Sequence, residues 1–392
     1  MTNIYRDQSL YEHALCFDPI NQQRFDKGDF RTRMGDFHDV PGCMSNPDGS
    51  FTLTYFAPGA KKVQVRGIGG SMPNTYDMLP SDTMPDYFTV TITDVPAGFH
   101  YIEFLVDGVL TIHNQLPIGY GCSYAMNFID VYDPDFTWSM LKDVPHGTVH
   151  MEIYKSDVVG RYRNCYVYTP PSYETEPNKR YPVFYVQHGG GENESGWLWQ
   201  GKINYIMDNM IAEGLCEEMI IIINHGFNFT ENPDGTFRSG DIDKVLALEC
   251  VPFIDKKYRT IPDRKYRACA GLSYGTIHSR MTVMGHPDLF SAVGIWSGSF
   301  GFDTITNATN NNPVSKFNYT DFFQSKEYFN ERIKLMFYGC GDQEAGPMAP
   351  AEEIDSYIAK GYNIVRYVAP GFHEWSVWRR CAFEMIKLLF KW

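Results

Sequence analysis

The stretch "YRACAGLSYGTIHSRMTVMG", residues 266 to 285, decides the fold. Its first half is a short apolar run suited to a buried strand, and its second half carries helix-forming residues without a break. Between them stands Gly-x-Ser-x-Gly, Gly271 to Gly275, the one such pattern in the chain. A serine in a sharp strand-to-helix turn, with glycines on either side to relieve the crowding, has its hydroxyl thrust above the sheet edge. The spacing therefore predicts a nucleophile elbow with Ser273 at its tip.

Outward from the elbow the same grammar repeats. "NCYVYTP", "YPVFYVQHGG", "MIIIINHG", "FSAVGIWSG", "IKLMFYGCG" and "YNIVRYVAPG" read as strands. "INYIMDNMIAEG", "DIDKVLALECVPFIDKKY" and a last segment from about 374 to 390 read as helices. Continuous apolar strands alternating with amphipathic helices predict a mostly parallel sheet covered on both faces, an α/β-hydrolase domain over residues 148 to 392. Residues 37 to 135 differ. "FTLTYFAPGA", "KKVQVRG", "YFTVTITDV" and "HYIEFLVDGVL" alternate with period two between Asp-Gly turns, which predicts a small all-β sandwich. Residues 136 to 147 form the linker, and 1 to 36 a separate N-terminal segment.

The 392 residues suffice for two cores, and a hydrophobic fraction of 43% suits a folded chain. A formal charge of -13 without a basic cluster repels phosphate backbones, which excludes nucleic acid as a partner. Nine cysteines without a CxxC argue against a zinc site and a disulfide framework, and for a reducing compartment. With no signal-like start and no long apolar stretch, the sequence as written reads as cytoplasmic and not membrane-bound. It would read as secreted if a signal peptide had been removed. Oligomeric state is not legible.

A serine hydroxyl needs a base, and in this fold the chain order is Ser, acid, His. Of the histidines after Ser273, His278 and His286 lie on or at the end of the helix that follows, with no room for an intervening acid. His373, in the loop "APGFHEWSVW" after the last strand, remains. An oxyanion requires two preorganised N–H donors. Tyr274, directly after the nucleophile, supplies one, and "QHGGGENESGW" the other through Gly190 or a neighbour, with His188 as a structural support. The glycine run lacks the patterns that would make it a phosphate loop.

Together, "RNCYVYTPPSYE", "YPVFYVQHGGGENESGW", "AGLSYG", "YGCGDQE" and "GFHEWSVW" resemble, in order and spacing, the feruloyl esterases of carbohydrate esterase family 1, within the esterase D superfamily. The β-rich part resembles the glycogen-binding-type, isoamylase N-terminal-like sandwich, a carbohydrate-binding-module relative. The resemblance implies a catalytic triad, no cofactor or metal, and hydrolysis of feruloyl or p-coumaroyl esters on plant cell-wall arabinoxylan, as oligosaccharide or polysaccharide. It implies Ser273 as nucleophile, His373 as base, and Gly190 and Tyr274 as oxyanion donors.

The family writes Gly-x-Gly-x-x-Asp after the seventh strand, and here the sixth place is Glu344, with Asp342 two residues earlier. Position favours Glu344 and residue type favours Asp342; Glu344 is the expected acid and Asp342 the alternative. Trp197, Trp199, Trp375 and Trp378 lie on the loops bordering the serine, and Trp197 and Trp375, with Gly189 and Gly191, are the expected substrate wall. The long loops 225–241 and 297–323 are rim candidates. An acetyl-xylan or siderophore-trilactone esterase of the same superfamily is the alternative function, and a non-catalytic carbohydrate-binding protein the third.

Overall fold

The computed structural model describes residues 42–46, 48–113, 116–231, 237–239, 241–300 and 322–392. The expected N-terminal segment, residues 1–36, lies outside the described residues, as do 301–321 of one rim loop and 232–236 and 240 of the other. The chain forms two compact units: the first runs to Gly119 and resumes over Ala125–Thr137, and the second comprises Tyr120–Tyr124 and Trp138–Trp392.

The first unit is built on strands β1 (Cys43–Ser45), β2 (Phe51–Phe56), β3 (Val63–Gly67), β4 (Thr75–Pro80), β5 (Tyr87–Ile92), β6 (Gly98–Val106), β7 (Val109–Thr111), β8 (Ile118–Gly121) and β9 (Tyr124–Val131). They hydrogen-bond in the order β1-β2-β5-β4-β3-β6-β9-β8, with β7 on β6, and every pairing with a recorded register is antiparallel. The strands form the two packed halves of the expected sandwich, joined where β4 pairs with β3 on one side and β5 on the other. Phe51, Leu53 and Ile92 from one end share a core with Val63, Val65, Ile102, Phe104 and Ile129 from the other, so the sheet curls around its own apolar face.

The second unit holds an eight-stranded sheet: β10 (Thr148–Ser156), β11 (Arg161–Thr169), β12 (Val183–Gln187), β13 (Ile220–Asn224), then, beyond the short hairpin β14 (Phe229–Glu231) and β15 (Phe237–Ser239), β16 (Arg267–Leu272), β17 (Ala292–Trp296), β18 (Leu335–Gly341) and β19 (Ile364–Ala369). The order is β10-β11-β13-β12-β16-β17-β18-β19. The β10–β11 and β11–β13 pairs are antiparallel, and all others are parallel. Ile220 to Ile223 are completely buried, as a strand covered on both faces requires. The segment expected as one helix from Asp241 widens into a π-turn over Val245–Cys250 before resuming at Val251–Lys257. The widening directly precedes Pro252, whose nitrogen cannot donate to the helical ladder.

One consequence of the order positions the site. From β12 the chain crosses to β13 on one side, and later returns to lay β16 on the other. Ligand sites in open α/β sheets lie outside the carboxyl ends of strands at such a switch point. Here those ends are Gln187, followed by the glycine loop, and Leu272, followed by Ser273, with Gln187 directly opposite Gly271.

Candidate active site

Ser273 adopts a left-handed backbone, φ +53°, between β16 and the helix Gly275–Gly285. A non-glycine residue held there carries strain that only surrounding packing sustains. Its amide donates to Trp296 O at 2.8 Å, and the Thr276 hydroxyl donates to its carbonyl at 2.7 Å. Both glycines of the motif are required by closeness: a Cβ on Gly271 would lie 2.1 Å from Gly275 O, and one on Gly275 would lie 2.5 Å from His188 O.

His373 Nε2 stands 2.8 Å from Ser273 Oγ, across 100 residues of sequence. Its Nδ1 lies 3.2 Å from Glu344 Oε2. The other carboxylate oxygen, Oε1, accepts from Ser297 Oγ at 2.6 Å and from the Gly341 amide at 3.0 Å. Glu344 is buried, at 6% exposure. Asp342 is exposed and turned away: its Oδ1 accepts from the Gly371 amide at 2.9 Å, stapling the turn after β18 to the histidine loop. Of the two carboxylates offered by the sequence, the structure brings Glu344 to the imidazole. Hydroxyl, imidazole and carboxylate therefore form one hydrogen-bonded line, the arrangement that lets a histidine take a serine proton while a carboxylate steadies the imidazolium.

Gly190 is exposed, and a Cβ on it would lie 3.9 Å from Tyr274 Cβ, so the glycine loop runs beside the residue that follows Ser273. The neighbouring glycines have other duties, which corrects their expected place in the wall. Gly189 is buried and its amide donates to Glu192 Oε2 at 2.9 Å. Gly191, at φ +75°, lies under the backbone of Cys122 and Ser123, and its carbonyl accepts from the Ser123 amide at 2.9 Å. His188, fully buried, holds this loop: Nδ1 donates to Gly189 O and Nε2 accepts from the Gly226 amide, both at 2.9 Å.

Trp197 and Trp375 do not form a wall. Both are fully buried, their rings edge to face at 5.0 Å, and Trp197 Nε1 donates to Gln187 O at 3.1 Å. Their area serves to fix the glycine loop and the last helix, Trp375–Ile386, against each other. Trp199 is the exposed indole of its loop, at 44%, with its ring 6.4 Å from that of Tyr120. Next to the nucleophile stands an aromatic pair that sequence reasoning missed, Tyr274 and Phe227, centroids 5.4 Å apart and both part-exposed. Ser297 was also missed. The signal for it was available in "GIWSG", a small polar residue directly after a strand, as in the elbow itself.

His113, His188 and His278 are buried where charging is costly. Burial pushes His188 and His113 down to about 4 and His278 to about 3. Their folded values lie below the unfolded value, so the unfolded chain binds more protons between about pH 6.5 and 4, and stability falls as pH drops through that window. Each contributes a slope on the order of 1 kcal/mol per pH unit. The urea midpoint is expected to fall steeply from pH 6.5 to 4.5; a flat profile there would contradict the neutral, buried assignment. Among the described residues no group of three His, Cys, Asp or Glu is placed to hold a metal ion, and no helix is long and apolar enough to cross a membrane. The described cysteines are free thiols.

With this geometry in view, the chain was compared with known proteins. The sequence model of the family named Esterase, described as "Putative esterase", matches residues 156–327. An endo-1,4-beta-xylanase/feruloyl esterase of Xylanibacter ruminicola is 30% identical over 387 residues, covering 96% of this chain and 49% of that protein. This chain spans about half the length of that relative. Among solved structures, a ferulic acid esterase is 25% identical with a TM-score of 0.51, covering 63% of this chain and 98% of its own. The enterobactin esterase of Shigella flexneri has a TM-score of 0.60 over 87% of this chain and 93% of its own at 13% identity, a likeness of fold. The second unit thus has the α/β-hydrolase fold of these solved structures, and its strand order and elbow are those the fold requires.

Proposed function

We propose that this protein is an esterase that hydrolyses hydroxycinnamoyl esters, feruloyl or p-coumaroyl, carried by arabinoxylan-derived saccharides. The observation that carries the reading is the continuous line from Ser273 Oγ through the His373 imidazole to Glu344. The Xylanibacter relative, similar along almost the whole chain, supports the substrate class.

In the proposed reaction His373 Nε2 takes the Ser273 proton as Oγ attacks the ester carbonyl, and the carbonyl oxygen gathers charge between the Tyr274 and Gly190 amides. Glu344 stabilises the imidazolium, which then protonates the departing sugar alcohol. Water attacks the acyl-serine by the same route in reverse and releases the acid. The planar acyl ring suits the Tyr274–Phe227 pair, where an aromatic face gains from ring contacts beyond its buried area. Trp199 suits the saccharide, since a half-exposed indole packs against the C–H face of a sugar.

The test is a panel of methyl ferulate, methyl p-coumarate, 4-nitrophenyl acetate, a catecholate trilactone and feruloylated arabino-oligosaccharides. Hydroxycinnamates are expected to give the highest kcat/KM. Turnover of acetate alone, or of the trilactone alone, would replace this reading with the corresponding alternative. Trp199→Ala is expected to raise KM for the feruloylated oligosaccharide by roughly tenfold, the loss of about 1.4 kcal/mol of contact, and to leave methyl ferulate unaffected. An equal effect on both substrates would move Trp199 out of the saccharide side.

A further inference from the structure

Ser297 is the structural twin of the nucleophile. Leu272 and Trp296 face each other at the ends of the adjacent strands β16 and β17, so the residues that follow, Ser273 and Ser297, leave the sheet side by side. Both are left-handed, at φ +53° and φ +55°. Each amide is tied to the next strand, Ser273 to Trp296 O and Ser297 to Gly339 O at 2.7 Å. Ser273 keeps its hydroxyl toward the histidine, whereas Ser297 is buried and commits its hydroxyl to Glu344 Oε1.

The direction of that hydroxyl is not free. Trp378 Nε1 lies 2.9 Å from Ser297 Oγ, and an indole nitrogen can only donate. The Ser297 oxygen therefore accepts from Trp378, and its own proton can go only to Glu344. With Oε1 held by Ser297 and by the Gly341 amide, the carboxylate cannot rotate, and Oε2 is presented to His373 Nδ1. The same indole stands edge-on to the His373 ring, centroids 5.1 Å apart at 88°. One buried side chain thus touches the imidazole directly and the carboxylate through one hydroxyl.

We infer that Ser297 and Trp378 are positioning residues of the reaction: Trp378 fixes the Ser297 proton, Ser297 fixes Glu344, and together they set the angle at which the carboxylate meets His373. This rests on the proposed roles of Ser273, His373 and Glu344, but not on the identity of the acyl group. The other titratable groups around the pair come from the β18 strand and its turn, Tyr338, Cys340 and Asp342, and from the last helix and the loop before it, Cys381 and Glu374. Burial pushes the Cys340 thiol up to about 11 and the Tyr338 and Cys381 groups higher, so these are neutral. Asp342 and Glu374 are tied to the backbone amides of Gly371 and Phe372.

The test uses Ser297→Gly, Ser297→Ala and Trp378→Phe in the full chain, with 4-nitrophenyl acetate as substrate and the active fraction counted by titration with a serine-directed phosphonate. Glycine accepts the left-handed backbone without strain, so Ser297→Gly removes the hydroxyl and leaves the fold at ease. All three are expected to lower kcat per titrated site, the two serine variants by roughly 10²-fold, as small misplacements of a catalytic group do. KM is expected to hold within about threefold, a change worth only ~0.65 kcal/mol. A role confined to stability would lower the melting temperature or the titrated fraction and leave kcat per site untouched; that result in Ser297→Gly and Trp378→Phe overturns the inference. Wild-type protein inactive on every ester would instead overturn the esterase reading, so the two failures are told apart.

Discussion

Ser273→Ala is expected to lower kcat on methyl ferulate by roughly 10⁴-fold or more, with the protein folded and its melting temperature close to that of the wild type. The substitution removes one oxygen from the tip of a turn that both glycines and the Trp296 carbonyl already hold, so little of the scaffold depends on it. What it does remove is the atom that would form the acyl intermediate. The residual rate reports what the two amides and the binding surface achieve alone. Turnover within tenfold of wild type would require a different nucleophile and would dismantle the proposed mechanism.

The second large effect separates two carboxylates two residues apart. Glu344→Ala is expected to cost on the order of 10⁴ in kcat, since the imidazole would lose both its orienting partner and its counter-charge. Asp342→Ala is expected to leave kcat within a few-fold, because that carboxylate bonds to the backbone of Gly371 rather than to the ring. A reversed outcome would place the acid at Asp342. Glu344→Asp is a sharper probe than alanine. A shortened side chain cannot keep both the Ser297 and Gly341 bonds on Oε1 and still reach His373, so it should fall between wild type and Glu344→Ala.

The sheet of the second unit was legible because strands buried on both faces leave continuous apolar runs, and "MIIIINHG" has no other stable home. Ser273 and His373 were legible because the chemistry restricts them: the serine needs its glycines, and the fold's chain order leaves few histidines. The acid was half legible. Which of two carboxylates in one tight turn points inward depends on the backbone, and Glu344 leaves the turn extended, at φ −94° and ψ 90°, just before the short helix Ala345–Met348. The indoles were misread for a different reason. A tryptophan near a catalytic loop suits a wall or a core equally well by composition, and Trp197 and Trp375 pack against each other instead of facing solvent. In the first unit, alternation identified the inner faces but not the partners, so the bridging of the two halves by β4 was not legible.

The line of residues from Ser273 to Glu344 is assembled from the ends of strands that are far apart in the chain. Ser273 follows β16, Ser297 follows β17, Glu344 follows β18, and His373 follows β19. None of these pairs can form locally. Parallel neighbours meet only after an intervening crossover has folded, which makes them slow, late contacts. On the proposed mechanism, ester turnover is therefore a sensor of complete folding: helices and early strand pairs can recover while the site is still open, and the rate returns only when β19 docks beside β18 and carries His373 to the serine.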